Sequence, residues 1–222
     1  MKNPSLRAHC IPFAVFLLML GLVDLLAKQG ILRSQYWVHP LQTVACGTLV
    51  VLFWRQYRLA LPRGLFFTVS VALLVLAIWV SPQEIFGFAS RYGDANSFDP
   101  TTFPPGSPAY WGRLGLRFLR IAIVVPFVEE IFWRGFLLRY LIREDFESVP
   151  FGTFSWRSFA LVTVFFALEH QPADYPAALL TGALYNWIAI RTRSLSSCIL
   201  AHAITNLLLG VYIMATRQWG FW

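Results

Sequence analysis

Apolar and polar positions divide the chain into blocks. Mainly apolar runs occupy 11–27, roughly 37–54, 65–80, 114–138 and 195–214. At about 1.5 Å rise per residue, runs of this length approach or meet the ~20 residues that a helix needs to span a bilayer core. Two shorter runs, 158–170 and 177–190, flank Gln171-Pro172-Ala173-Asp174-Tyr175-Pro176. They predict a helical hairpin whose turn lies inside the protein at membrane depth, where irregular backbone needs shelter or a watery cavity. Two full helices joined outside the membrane are the alternative. The pattern predicts an all-α fold, a polytopic transmembrane helical bundle of about six to seven membrane segments with one short hairpin, forming a single transmembrane domain over residues 1–222. No period repeats along it.

Three polar clusters interrupt the apolar second half: Glu129-Glu130-Ile131-Phe132-Trp133-Arg134, Phe166-Ala167-Leu168-Glu169-His170, and His202-Ala203-Ile204-Thr205-Asn206. An ionisable group at membrane depth costs at least about 2.5–3.5 kcal/mol and ordinarily faces a cavity. Counted from the flanking arginines at about 1.5 Å per residue, Glu129 and Glu130 lie about 14–15 Å in. His202 lies about 14 Å in, and His170 and Asn206 about 20 Å in. Separate segments thus deliver their polar groups to one layer near the midplane. Residues four apart share a helix face, as do Glu130 and Arg134, Phe166 and His170, and His202 and Asn206. Adjacent glutamates point about 100° apart, so Glu130 is expected to pair with Arg134 while Glu129 faces the cavity. Pro126 removes a helical hydrogen bond one turn earlier, a kink with room for water.

Composition excludes an ordinary soluble domain. Hydrophobic residues make up 57% of the 222, charged residues 13%, and mean hydropathy is +0.58, against about 45–50% apolar and 25% charged in soluble proteins. The net charge of +7 does not mark a nucleic-acid binder, because the basic residues fall between apolar runs. With the N-terminus inside, ten Lys and Arg face inward, Lys2 and Arg7 among them, and four face outward, as the positive-inside rule favours. Arg113, Arg117 and Arg120 are set aside as charges at the outer end of the fourth helix. Lys2 and Arg7 before the run 11–27 suggest a signal peptide, but the run is long and Asp24-Leu25-Leu26-Ala27-Lys28 is a poor cleavage site. It reads as a retained helix with Asp24 paired to Lys28. Loop 81–112, with Asp94, Asp99 and several aromatics, is long enough for a lid or an interfacial helix. Cys10, Cys46 and Cys198 lack disulfide or metal spacing, and no cofactor or metal motif is present.

The arrangement Glu129-Glu130-(x)3-Arg134, Phe166-(x)3-His170 and His202-(x)3-Asn206 resembles the CPBP family of intramembrane glutamic proteases, related to CAAX prenyl endopeptidases and bacteriocin-processing proteins. The resemblance covers residues 114–210, and the stretches Arg143–Phe146 and Phe154–Trp156 resemble its exosortase-associated subset. It implies an intramembrane endopeptidase in which Glu129 activates a water, His170 orients it, and His202 and Asn206 form the oxyanion hole, with Arg134 holding Glu130. No Ser, Cys or Lys is placed as a covalent nucleophile.

Rival readings use the same residues. Glu129, His170 and His202 could bind zinc with one open position; a non-catalytic immunity factor or helper of a sorting system needs no turnover; a proton-coupled transporter would show two similar halves, which are absent. Glu169 reads as a structural or water-network residue, and His39, Asp174 and Asn186 as turn or packing residues. The expected partners are a hydrophobic or lipidated protein substrate, membrane lipids and an exosortase-type sorting system, with no nucleic acid. The expected location is the cytoplasmic (inner) membrane, multi-pass, with the N-terminus in the cytoplasm and substrate entry lateral or from the inner face.

Overall fold

Long apolar runs fold as helices because a helix satisfies every backbone polar group internally, which lipid requires. The computed structural model describes residues 4–93 and 97–222, so Lys2 and Asp94 lie outside the described residues. Among those described, the long elements are all helical. They are α1 (Pro4–Lys28), α2 (Gln35–Leu52), α3 (Leu65–Glu84), a composite α4 (108–140), α5 (Trp156–Leu168), α6 (Tyr175–Thr192) and α7 (Leu195–Thr216). Helices α1, α3 and α7 are long and apolar enough to cross a membrane. Leu18, Leu52, Phe66 and Trp156 are more than two-thirds exposed, a display that suits a lipid-facing surface and would be a liability on a soluble monomer.

Helix α4 is central, packing on α1, α2 and α7, while α3 lies against α7 and α5 against α6. Ser107 Oγ caps its start by accepting from the Tyr110 amide at 3.1 Å, with Pro108 at the first helical position. The helix widens twice into π-turns, at Arg120–Val124 and Ile131–Leu137, on either side of an α-helical piece Val125–Glu130. Pro126 explains the first: it has no N–H to return to the preceding turn, and the carbonyl of Ile121 is satisfied instead by Asn206 Nδ2 at 2.9 Å. π-turns within helices concentrate at functional sites, and here they bracket both glutamates.

Two expectations are corrected. Helices α5 and α6 do form a hairpin, but Gln171, Pro172 and Ala173 in its turn are exposed. Asp174, just after them, is tied by Arg91 Nη1 at 2.5 Å to the loop after α3. The turn is thus open on one side and held by a carboxylate–guanidinium pair, not enclosed by the protein. The Asp24–Lys28 pair does not form among the described residues, whose ion pairs are Arg91–Asp174, Arg134–Glu130 and His202–Glu130. Both side chains are exposed, where holding two flexible groups together gains little. The long loop packs down onto the bundle end. Tyr36 Oη donates to the Asp99 carbonyl at 2.8 Å and accepts from the Asp99 amide at 2.9 Å. Phe98 is buried, and the Gly220 amide donates to the Arg91 carbonyl at 2.8 Å. Within 81–112, residues 81–84 complete α3, Pro100–Thr102 form a 3-10 turn and residues 108–112 begin α4.

Candidate active site

The buried guanidinium of Arg134 organises the centre. Nη1 donates to Glu130 Oε1 at 2.9 Å, Nε to Asn186 Oδ1 at 3.1 Å and Nη2 to the Gly182 carbonyl at 3.1 Å. Arg134 and Glu130 both have 0% exposure. The ring of Phe166 lies 4.8 Å from its carbon centre and that of Tyr185 5.4 Å, contacts that favour a cation. Asn186 is itself fixed, donating from Nδ2 to the Phe159 carbonyl at 3.2 Å and Thr163 Oγ1 at 3.1 Å. One arginine thereby ties α4 to α6, and Asn186 carries the tie on to α5. The close approach needs Gly182, where a Cβ would sit 3.2 Å from the Thr163 carbonyl and 3.3 Å from the Phe166 ring.

Glu130 Oε1 also meets His202 Nδ1 at 3.0 Å, which joins α7 to the clamp, while its Oε2 is buried without a protein partner. Glu129 behaves differently. It is 6% exposed and lines a cavity of about 250 Å³ together with His170, His202, Asn206 and Glu169. Glu130 and Arg134 are behind this wall. The three segments whose depth estimates coincide therefore meet at one cavity, and the two glutamates take separate environments.

The ring nitrogens are placed by local geometry. His170 Nδ1 lies 2.9 Å from the Phe166 carbonyl, one turn back, so Nδ1–H donates there and Nε2 is left for the cavity. Trp79 and Phe166 flank the ring at centroid distances of 5.5 and 5.0 Å. Glu169 accepts from Trp133 Nε1 at 3.1 Å through Oε2, and its Oε1 has no protein partner. The cavity holds ample room for water, which unpaired polar atoms of this kind ordinarily bind.

Sequence reasoning missed two features. Asn186 was read as packing, and it is an acceptor for Arg134; a two-acceptor demand beyond Glu130 was the available signal. Arg117 and Arg120, set aside as helix-end charges, are buried and line the same cavity. Among the described residues no group of three His, Cys, Asp or Glu is arranged to hold a metal ion.

Apolar helices around a cavity of about 250 Å³, whose wall carries carboxylates and imidazoles among apolar side chains, define a helical membrane protein with an internal site. Residues 111–208 match the family model for Rce1-like proteins, described as type II CAAX prenyl endopeptidase Rce1-like. That segment carries all three motifs, and through it the chain is similar to CAAX-type proteases, in support of the CPBP/CAAX-protease resemblance. No curated protein and no solved structure matches the chain.

Proposed function

We propose that the protein is an intramembrane endopeptidase that hydrolyses a peptide bond with a water activated by Glu129. The observation that carries this reading is the split between the two adjacent glutamates: Glu130 is locked by Arg134 and His202, while Glu129 faces the cavity. Glu129 takes a proton from the water as its oxygen attacks the scissile carbonyl carbon. His170, with Nδ1 committed to the Phe166 carbonyl, presents Nε2 as an acceptor that orients this water. The tetrahedral oxyanion is met by Asn206 and His202. Asn206 has one N–H on the Ile121 carbonyl, so its second N–H is the one available. His202 donates from Nδ1 to the Glu130 carboxylate, so Nε2 donates only in the imidazolium, whose charge Glu130 lies against. Collapse of the intermediate returns the proton to the leaving amine. No covalent intermediate forms.

The substrate is a hydrophobic or lipidated membrane-associated protein segment, and the protein acts as a multi-pass component of the cytoplasmic membrane with its N-terminus in the cytoplasm. The subset resemblance points to service beside an exosortase-type sorting system. The cavity wall runs along the C-terminal half of α7 to Phe221 and Trp222, so the reading places substrate entry toward that end rather than at the inner face. The test is proteolysis of a pool of membrane-associated peptides by detergent-purified protein, with Glu129→Gln and a chelator as parallel arms. Cleavage lost with Glu129→Gln and indifferent to chelator supports the reading. Chelator-sensitive cleavage moves the chemistry to zinc, and no cleavage in any arm favours the non-catalytic helper.

A further inference from the structure

Arg117 and Arg120 sit three residues apart on α4, are 5% and 8% exposed, and both line the cavity that holds Glu129. Neither is paired with a carboxylate among the described residues. Their hydrogen-bond partners are neutral. Arg117 Nη1 donates to His39 Nδ1 at 2.8 Å, which makes that ring nitrogen an acceptor, and Arg120 Nε donates to Gln42 Oε1 at 2.6 Å. Aromatic faces supply the rest: Phe98 and Trp222 at 5.2 and 5.3 Å from Arg117, and Phe16 at 5.9 Å from Arg120. Among the described residues, the buried Arg117 Nε has no hydrogen-bond partner.

Burying a guanidinium costs several kcal/mol unless an anion or a full set of acceptors compensates, and two neighbouring cations repel each other as well. The two carboxylates on the cavity wall relieve this only in part: Glu129 is near enough for its charge to act on Arg120 but forms no ion pair with either arginine, and Glu169 bonds to Trp133. Buried cations without a contact ion pair on a cavity wall in a membrane bundle mark a ligand pathway, and guanidinium forks match carboxylates best. Arg120 lies nine residues from Glu129, about 13 Å along the helix. An extended peptide covers that interval in about four residues at ~3.3 Å each.

We propose that Arg117 and Arg120 form a carboxylate-binding subsite that anchors an anionic group of the peptide substrate at the end of the cavity remote from Glu129. The proposal rests on the proteolytic reading of the site, which supplies the peptide. The carboxylate is a chain terminus or an acidic side chain about four residues from the scissile bond. Orientation follows directly: the anchored acid fixes which way the peptide runs past Glu129.

The test uses the purified full-length protein and three matched peptides: one ending in a free acid, its C-terminal amide, and the amide with one internal Glu about four residues from the cleaved bond. kcat/KM for the acid-bearing peptides should exceed that for the plain amide by about 10- to 100-fold, the fold-change for a hydrogen bond to a charged group. Whichever acid-bearing peptide is preferred identifies the source. The ratio should collapse toward one in Arg120→Gln and Arg117→Gln and be partly restored in Arg120→Lys. Equal rates for all three peptides on the unmutated protein, a comparison that needs no folded variant, would overturn the proposal. So would an unchanged ratio in both Gln variants. Binding of fluorescent acid and amide peptides to the Glu129→Gln protein separates the two readings. Acid-selective binding that needs the arginines, without cleavage by the parent, keeps the subsite and removes the protease. Binding that is competed equally by anionic and zwitterionic lipid micelles, and is blind to the acid, removes the subsite.

Discussion

Replacing Arg134 tests the architecture of the site separately from its chemistry. In Arg134→Met the guanidinium is lost from a position with no exposure, along with donors to Glu130, Asn186 and Gly182 at 2.9, 3.1 and 3.1 Å. Glu130 is left as a buried carboxylate supported only by His202, with Oε2 already unpartnered. Breaking one side of such a pair costs about 3–5 kcal/mol. For a chain of this size each kcal/mol corresponds to about 2–4 °C in melting temperature, so the apparent midpoint should fall by about 6–20 °C. The assay is tryptophan fluorescence against temperature in detergent, with size-exclusion recovery as a second readout. Adding Glu130→Gln to Arg134→Met removes the stranded charge and should recover part of the loss, with a coupling of about 0.5–3 kcal/mol. If Arg134→Met melts within about 2 °C of the parent, or the two substitutions are additive, the clamp does not hold the site together.

Other consequences are open to measurement. Asn206→Ala removes the proposed oxyanion donor and the cap on the Ile121 carbonyl, and should lower kcat by about 10²–10³ with a modest loss of folded yield. Glu169→Ala strands the Trp133 indole N–H at about 1–3 kcal/mol, whereas Glu169→Gln keeps an acceptor and should melt close to the parent. Arg91→Ala, which breaks a partly exposed pair with Asp174, should cost no more than about 1 kcal/mol and be insensitive at high salt. In a protein with Cys10, Cys46 and Cys198 replaced, a cysteine at exposed Ser148 should react with an impermeant maleimide only after permeabilisation, and one at exposed Thr102 from outside intact cells. The reverse pattern would invert the proposed orientation.

The helical class and the meeting of the three polar clusters were legible because both depend on periodicity: 3.6 residues per turn sets which residues share a face, and 1.5 Å per residue sets depth. The Glu130–Arg134 contact was legible for the same reason. What escaped depends on partners far apart in the chain. Asn186 meets Arg134 across 52 residues, and no local pattern distinguishes it from a packing amide. Arg117 and Arg120 looked like helix-end charges because hydropathy alone places them at an edge. Arg117 lies against Phe98 from the loop and Trp222 from the C-terminal turn, and Arg120 against Phe16 of α1, all distant in sequence. Pro126 signalled the first π-turn, but nothing in the sequence of Ile131–Leu137 marks the second. The hairpin turn was expected inside the protein because no local pattern signals its exposure, and Arg91, which ties it to the loop after α3 through Asp174, lies 83 residues away.

The two glutamates, adjacent in sequence and separated in environment, carry the central claim, so the decisive measurement compares Glu129→Gln with Glu130→Gln for both turnover and melting temperature. Glu129→Gln should abolish peptide cleavage while melting like the parent, since its carboxylate faces the cavity. Glu130→Gln should lower both, because it weakens the bonds to Arg134 and His202. Full cleavage by Glu129→Gln would contradict the account.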